Sequence, residues 1–169
     1  VTDLLIDHHH GETNMGLDMY LSATKYVGDW DHNNAEERAK YRAVLAPLGL
    51  EGVRCDGSPS CTVSVNVAYW RKANQIHAWF VANVQEGKDD CQDCDVSREE
   101  LAELVALCKV VLADHERTDE LPPAEGFFFG STEIDQYYFD DLESTVKQLE
   151  SVLANKQLEG MNFFYRSSW

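Results

Sequence analysis

"TVSVNVAYWRKANQIHAWFV", residues 62–81, decides the fold of this chain. Its first half alternates: Val63, Val65 and Val67 turn one way, while Ser64, Asn66 and Ala68 turn the other. That is the two-residue period of a strand buried on one face. Its second half changes period. At 100° per residue, Ala73, Ile76, His77, Phe80 and Val84 share one face, with Trp70 and Val81 at its margin, which predicts a helix over roughly 70–84. The strand runs directly into the helix, so both kinds of element belong to one folding unit.

Working outward, "LDMYLSATKYV" (17–27) alternates well enough for a strand. Ala35–Leu45 follows Asp and Asn caps and stops at Pro47 and Gly49, as a short helix should. "EGVRCDGSPSC" (51–61) is rich in turn residues, and "QEGKDDCQDCDV" (85–96) reads as a loop. Ser97 and Glu100 make a capping box. It opens a helix whose inward stripe is Leu101, Leu104, Leu107, Cys108 and Val111. "LPPAEGFFFG" (121–130) predicts a turn and a short buried strand. Thr132 with Asp135 is expected to start the longest helix, to about Ala154, with Tyr138, Leu142, Leu149 and Leu153 inward. "MNFFYRSSW" (161–169) closes as a strand. The expected order is strand, helix, strand, helix, helix, strand, helix, strand. It implies one α+β domain, with a small, mainly antiparallel sheet and helices packed chiefly on one face.

Composition sets outer limits. At 169 residues, with 44% hydrophobic and 11% aromatic residues, the chain can bury a core of its own. The first 14 residues look unlike the rest. Gly11-Glu12 can be encoded by a ribosome-binding sequence placed just before Met15, so residues 1–14 are expected to be a non-native or poorly ordered extension. The domain is then 15–169, and His8, His9 and His10 are incidental. No apolar run approaches a membrane span, and no basic region precedes an apolar block at the N-terminus. The expectation is a soluble cytoplasmic protein.

Charge is the strongest global signal: 30 acidic against 14 basic residues gives −16. Such a field disfavours nucleic acid and anionic membrane and favours basic partners. The acids are spread along the chain, and many fall where helices start, as in "SREE" and "STEID", where the helix dipole favours them.

Two segments carry polar groups that folding alone does not require. In the 70–84 helix, His77 falls near the centre of the apolar stripe and Asn74 at the edge of the buried face, where an amide needs several partners. Arg71 and Lys72 would occupy the helix's first turn, against the dipole, which implies an anionic partner from the chain or from a ligand. In "FFFGSTEIDQYYFDD" (127–141), Gly130 ends a strand and Ser131-Thr132 open a helix, with Glu133 and Asp135 in its first turn. One glycine and no following Lys exclude a phosphate loop. Arg71, Asn74, His77, Glu133 and Asp135 are expected to converge on a small polar ligand pocket between the 70–84 helix and the 130–138 segment.

Cys108 sits in a helix stripe and reads as a buried thiol. Cys55, Cys61, Cys91 and Cys94 could form a C-x5-C and C-x2-C zinc set, but the first spacing is loose and Asp flanks both pairs. Reduced thiols, with no metal and no cofactor, are the expectation. The acidic surroundings of "DDCQDCD" would raise a thiol pKa, the reverse of what a redox pair needs. No nucleophile elbow, dinucleotide fingerprint, H-E-x-x-H or kinase signature is present.

"MGLDMYL", "YWRKANQIHAWFV", "DDC", "GFFFGSTEIDQYYFDD" and "FFYRSSW" together resemble a family of small phage and bacterial proteins with no established activity. The resemblance covers most of 15–169 and includes Cys91 but not a four-cysteine set. It implies that the 70–79 and 130–135 segments form one unit, and it assigns no catalytic residue. The function expected is that of a phage-type accessory protein acting by binding, its partner a small molecule or a basic protein surface. Direct binding to nucleic acid or membrane is not expected. If the chain is phage-encoded, its compartment is the host cytoplasm. One alternative is an acidic nucleic-acid mimic that inhibits a host or defence protein. Another is a hydrolase or transferase using His77 with Glu133 or Asp135 as an acid–base pair.

Overall fold

Met19, Leu21 and Ala23 alternate with Asp18, Tyr20 and Ser22, and the segment holding them forms an inner strand of the sheet, β1 (Asp18–Gly28). The computed structural model describes residues 16–53, 59–126 and 128–169. The proposed extension 1–14, the start at Met15 and Cys55 lie outside the described residues. β1 pairs antiparallel with β2 (Ser60–Arg71) on one side and β4 (Asn162–Ser168) on the other. A three-residue strand, β3 (Cys94–Val96), pairs antiparallel with β4, giving the order β2-β1-β4-β3. The chain folds as a single α+β domain.

β2 carries a bulge that its valine alternation does not show. Leu21 faces Ala68 but Ser22 faces Asn66, so Val67 is the extra residue. A bulge resets alternation. Ala68 and Trp70 therefore join the buried face of Met19 and Leu21, while Val65 stays 52% exposed. The expected common face of Val63, Val65 and Val67 is broken at Val67.

The helices are α1 (Ala35–Leu45), α2 (Asn74–Asn83), α3 (Arg98–Ala113) and α4 (Gln136–Ala154). α1 has the expected bounds, with Asn34 capping the Glu37 amide. α3 carries the Ser97–Glu100 capping box. Its buried residues are Leu101, Leu104, Val105, Cys108 and Val111.

Four expectations are corrected. β2 continues to Arg71 because pairing with Asp18 holds it extended, so α2 begins at Asn74 instead of Trp70. Arg71 and Lys72 are then outside the helix, and the dipole argument does not apply to them. α4 is capped by Asp135, whose carboxylate accepts from the Tyr137 and Tyr138 amides, rather than by Thr132. The described residues of 121–130 form no strand, while the acidic segment read as a loop supplies β3. One strand thus moves from after α3 to before it.

The core lies between the sheet's buried face and the helices. Phe80 of α2 stacks on Tyr165 of β4, ring centroids 3.9 Å apart, and tilts against Trp70 of β2. Trp70 donates its indole N–H to Thr145 of α4 at 2.9 Å. α2 is buried almost all round, since Asn74, Gln75, Ile76, His77, Trp79 and Phe80 are all inside. A one-sided apolar stripe underestimates such a helix. At the outer edge of β2, the Tyr69 amide donates to Oε1 of Gln148 on α4, which satisfies a group an edge strand would otherwise present for pairing. No helix among the described residues is long and apolar enough to cross a membrane.

Candidate functional site

The junction between β2 and α2 builds the site. Lys72 turns the chain with a φ of 59°, a left-handed conformation uncommon for residues other than Gly, Asn and Asp. Its N–H donates to the Leu17 carbonyl at 2.8 Å, and its own carbonyl accepts from the Asn74 amide at 2.9 Å. Two glycines leave room for this turn. A Cβ on Gly16 would lie 3.0 Å from Cε of Lys72, and one on Gly130, whose φ is 93°, would lie 3.2 Å from Cβ of Lys72.

Asn74 then fixes the segment facing the junction. Its Nδ2 donates to the carbonyls of Phe129 (3.1 Å) and Ser131 (2.8 Å), and its Oδ1 accepts from the Ala124 amide (3.0 Å). The side chain is 2% exposed, and these bonds meet the demand of a buried amide. Asn74 is therefore the post on which the 124–131 segment is hung, and it does not line the pocket.

A cavity of about 300 Å³ opens between the β2–α2 junction and the 130–141 segment. Arg71 and Lys72 line it from the junction, Gln75 from α2, and Glu133, Asp135 and Asp141 from the facing segment and α4. Of the five residues expected at a pocket, Arg71, Glu133 and Asp135 meet here.

The charges differ in how far they are already engaged. Arg71 Nη1 lies 2.9 and 3.1 Å from the two carboxylate oxygens of Asp18, which also accepts from the Tyr69 hydroxyl. Lys72 makes no ion pair among the described residues. Asp135 is occupied as the α4 cap, at 2.9 Å from the Tyr137 amide. Asp141 is the unusual member. Burial pushes its carboxyl up to about 6, against a hydrogen bond from Gln75 that favours the ionised form; Asp140 and Asp135 nearby add to the rise. Sequence reading missed Gln75 and Asp141 and left Lys72 out of the site. A signal for Asp141 exists: it precedes the buried Leu142 and follows the buried Tyr138 by three residues, which places it on the flank of the inward stripe.

His77 goes elsewhere. Its ring is 1% exposed, with Nδ1 2.7 Å from the Tyr165 hydroxyl and Nε2 2.9 Å from Oδ2 of Asp89. Burial raises the Tyr165 phenol well above its ordinary pKa, and in the tautomer whose Nε2–H donates to the Asp89 carboxylate, Nδ1 is left to accept from that hydroxyl. The expected pairing of His77 with Glu133 or Asp135 is thus replaced by an Asp89–His77–Tyr165 chain, and His77 does not line the pocket.

The described cysteines do not form one metal-holding group. Cys61 lies on β2 and Cys94 on β3, opposite edges of a four-stranded sheet; three inter-strand steps of about 14 Å in all, with a six-residue offset along the strands, separate them by well over 14 Å. One ion cannot be shared over that distance. Cys108 is fully buried, and desolvation pushes its thiol up to about 12, in keeping with a packed, unreactive group. Among the described residues no group of three or more His, Cys, Asp or Glu could hold a metal ion.

Compared with family profiles, curated proteins and solved structures, the chain matches none of them.

Proposed function

We propose that this chain acts by binding, as an accessory protein of the phage type, and that its ligand is a small polar molecule with an amino or guanidino group. The ligand occupies the pocket between the β2–α2 junction and the 130–141 segment. Its cationic end approaches Asp141, with Glu133 beside it, and any anionic end meets Lys72. The observation that carries this reading is Asp141: a carboxyl in a cavity, buried enough to hold its proton to about pH 6, with one side-chain donor, Gln75, to support its charge. Folding gains nothing from an ionised group there, whereas a bound cation turns the same carboxylate into a strong partner.

Lys72 supports the same reading. An ammonium with no ion pair among the described residues, on a left-handed backbone turn that disfavours residues bearing a Cβ, is a poor choice for stability and a serviceable one for holding a ligand's anionic end. The test is a thermal-shift comparison of arginine, agmatine and N-acetylglycine, with native mass spectrometry of the purified protein to detect any retained small molecule. Arginine and agmatine should raise the melting temperature of the wild type and not of Asp141→Asn, and N-acetylglycine should not. Equal shifts in both proteins, or no shift with either cationic ligand, would refute the reading.

A further inference from the structure

A second cavity is lined in part by the 124–131 segment. It measures about 380 Å³ and is lined by Asp89, Glu125, Phe128, Phe129 and Trp169 as its side-chain walls. The rings of Phe129 and Trp169 meet edge to face, at 68° with centroids 6.2 Å apart, and both residues line the cavity. Trp169 is 50% exposed, although an indole of that size normally gains by burial.

Two carboxylates complete the cavity. Asp89 is fixed at its base, with Oδ1 accepting from Trp169 Nε1 at 3.1 Å and Oδ2 from His77 Nε2 at 2.9 Å. The first bond sets the orientation of the indole. The second ties the carboxylate through His77 to the buried Tyr165 hydroxyl. Glu125 is exposed at the rim and makes no hydrogen bond or ion pair among the described residues.

From these observations we infer that this cavity is a binding site for a methylated ammonium group. Aromatic faces attract a cation through the ring quadrupole, and they suit one whose methyl groups cannot donate hydrogen bonds. Neighbouring carboxylates add charge without requiring contact, and a chain of net charge −16 draws cations from a distance. A neutral apolar guest would use the rings but leave the carboxylates unused. An anion would be repelled by both. The site is separate from the Asp141 pocket, which has hydrogen-bonding walls suited to primary amines and guanidines, and either can fail without the other.

The chemistry has two natural sources, a free quaternary ammonium compound or a trimethylated lysine on a protein tail. Calorimetric titrations of the full chain with choline, with a short trimethyl-lysine peptide and with 3,3-dimethyl-1-butanol, the uncharged carbon analogue of choline, distinguish them. Binding of choline or the peptide is expected, with the carbon analogue weaker by about tenfold. The preferred source is whichever of the two cations binds tighter. Trp169→Ala should weaken the cation by about tenfold or more, and Glu125→Gln by a smaller factor that shrinks with added salt. Both positions are exposed enough that circular dichroism should show the wild-type fold. Equal binding of choline and its carbon analogue, no binding of either cation, or Trp169→Ala binding as well as the wild type would overturn the assignment.

Discussion

The carboxamide of Gln75 donates to Oδ2 of Asp141 at 3.3 Å, and among the described residues no other side chain donates to that carboxylate. The pair joins α2 to α4 across the floor of the candidate pocket.

Asp141 in the unfolded chain ionises near 3.8, but in the folded protein it keeps its proton to about pH 6. The folded state therefore binds more protons between these values, and stability falls as pH rises through that window. Above pH 6 the full cost of the buried charge is present. Asp141→Asn, which keeps the shape and can still accept from Gln75, should stabilise the protein at pH 7 by about 1–2 kcal/mol, since solvent reaching a half-buried carboxyl screens away part of the roughly 3 kcal/mol that the full shift implies. The gain should fade to nothing below about pH 4. Urea denaturation of both proteins at the two pH values measures it.

Asp29 should behave in the opposite sense. The Arg38 guanidinium, with Nε 2.6 Å from Oδ1, holds the Asp29 carboxyl below the usual range, helped by Arg42 and opposed by burial. A lowered folded-state value gives stability that is present above about pH 4 and lost as pH falls through the folded value. Asp29→Asn should lower the melting temperature at pH 7, and the difference from wild type should narrow under acid. A constant difference down to pH 2 would contradict this.

Asn74→Ala removes three hydrogen bonds at once from a buried position and leaves two carbonyls and an amide without partners. A loss of about 3 kcal/mol is expected. The change should also free the 124–131 segment. Amide exchange should accelerate at Ala124, and at Leu17, which donates to the Phe128 carbonyl at 3.1 Å. Protection unchanged at both amides would show that Asn74 is not the post that holds this segment.

Much of this architecture was legible in the sequence, and the misreadings have physical causes. The α3 capping box and the bounds of α1 depend on neighbouring residues, and both were readable. The β2–α2 boundary was not, because Trp70 fits both a helical stripe and a buried strand face. Pairing of Arg71 with Asp18, far away in sequence, decides between them. β3 is three residues long and exists only because β4 offers it an edge, so nothing local marks it. At the site, Arg71 was found as a cation expected at a helix start, and Glu133 and Asp135 as acids opening the facing helix. Asn74 and His77 were singled out as polar groups on a buried face, yet their partners prove to be the 124–131 backbone and the Asp89–Tyr165 pair. A buried polar residue announces that it needs partners; it does not say which.

The His77–Tyr165 contact allows a direct check. Tyr165→Phe keeps the ring that stacks on Phe80 and deletes the hydroxyl donated to Nδ1. It should destabilise by about 1–2 kcal/mol through the unpartnered nitrogen. In a double-mutant cycle with His77→Phe, a coupling of about 1 kcal/mol is expected. Additive losses would mean that the hydroxyl and the imidazole contribute independently.

The central claim, that the Asp141 pocket receives a cationic group, is tested most directly by the pH dependence of arginine binding. Calorimetric titration of the wild type and Asp141→Asn between pH 5 and pH 7.5 is the measurement. Arginine stays cationic throughout this range, and an ionised Asp141 is its proposed partner, so wild-type affinity should rise through about pH 6 and then level off. Asp141→Asn should bind weakly with a flat profile. Wild-type affinity that ignores pH across this range, or an Asp141→Asn variant that binds arginine as tightly as the wild type, would contradict the account.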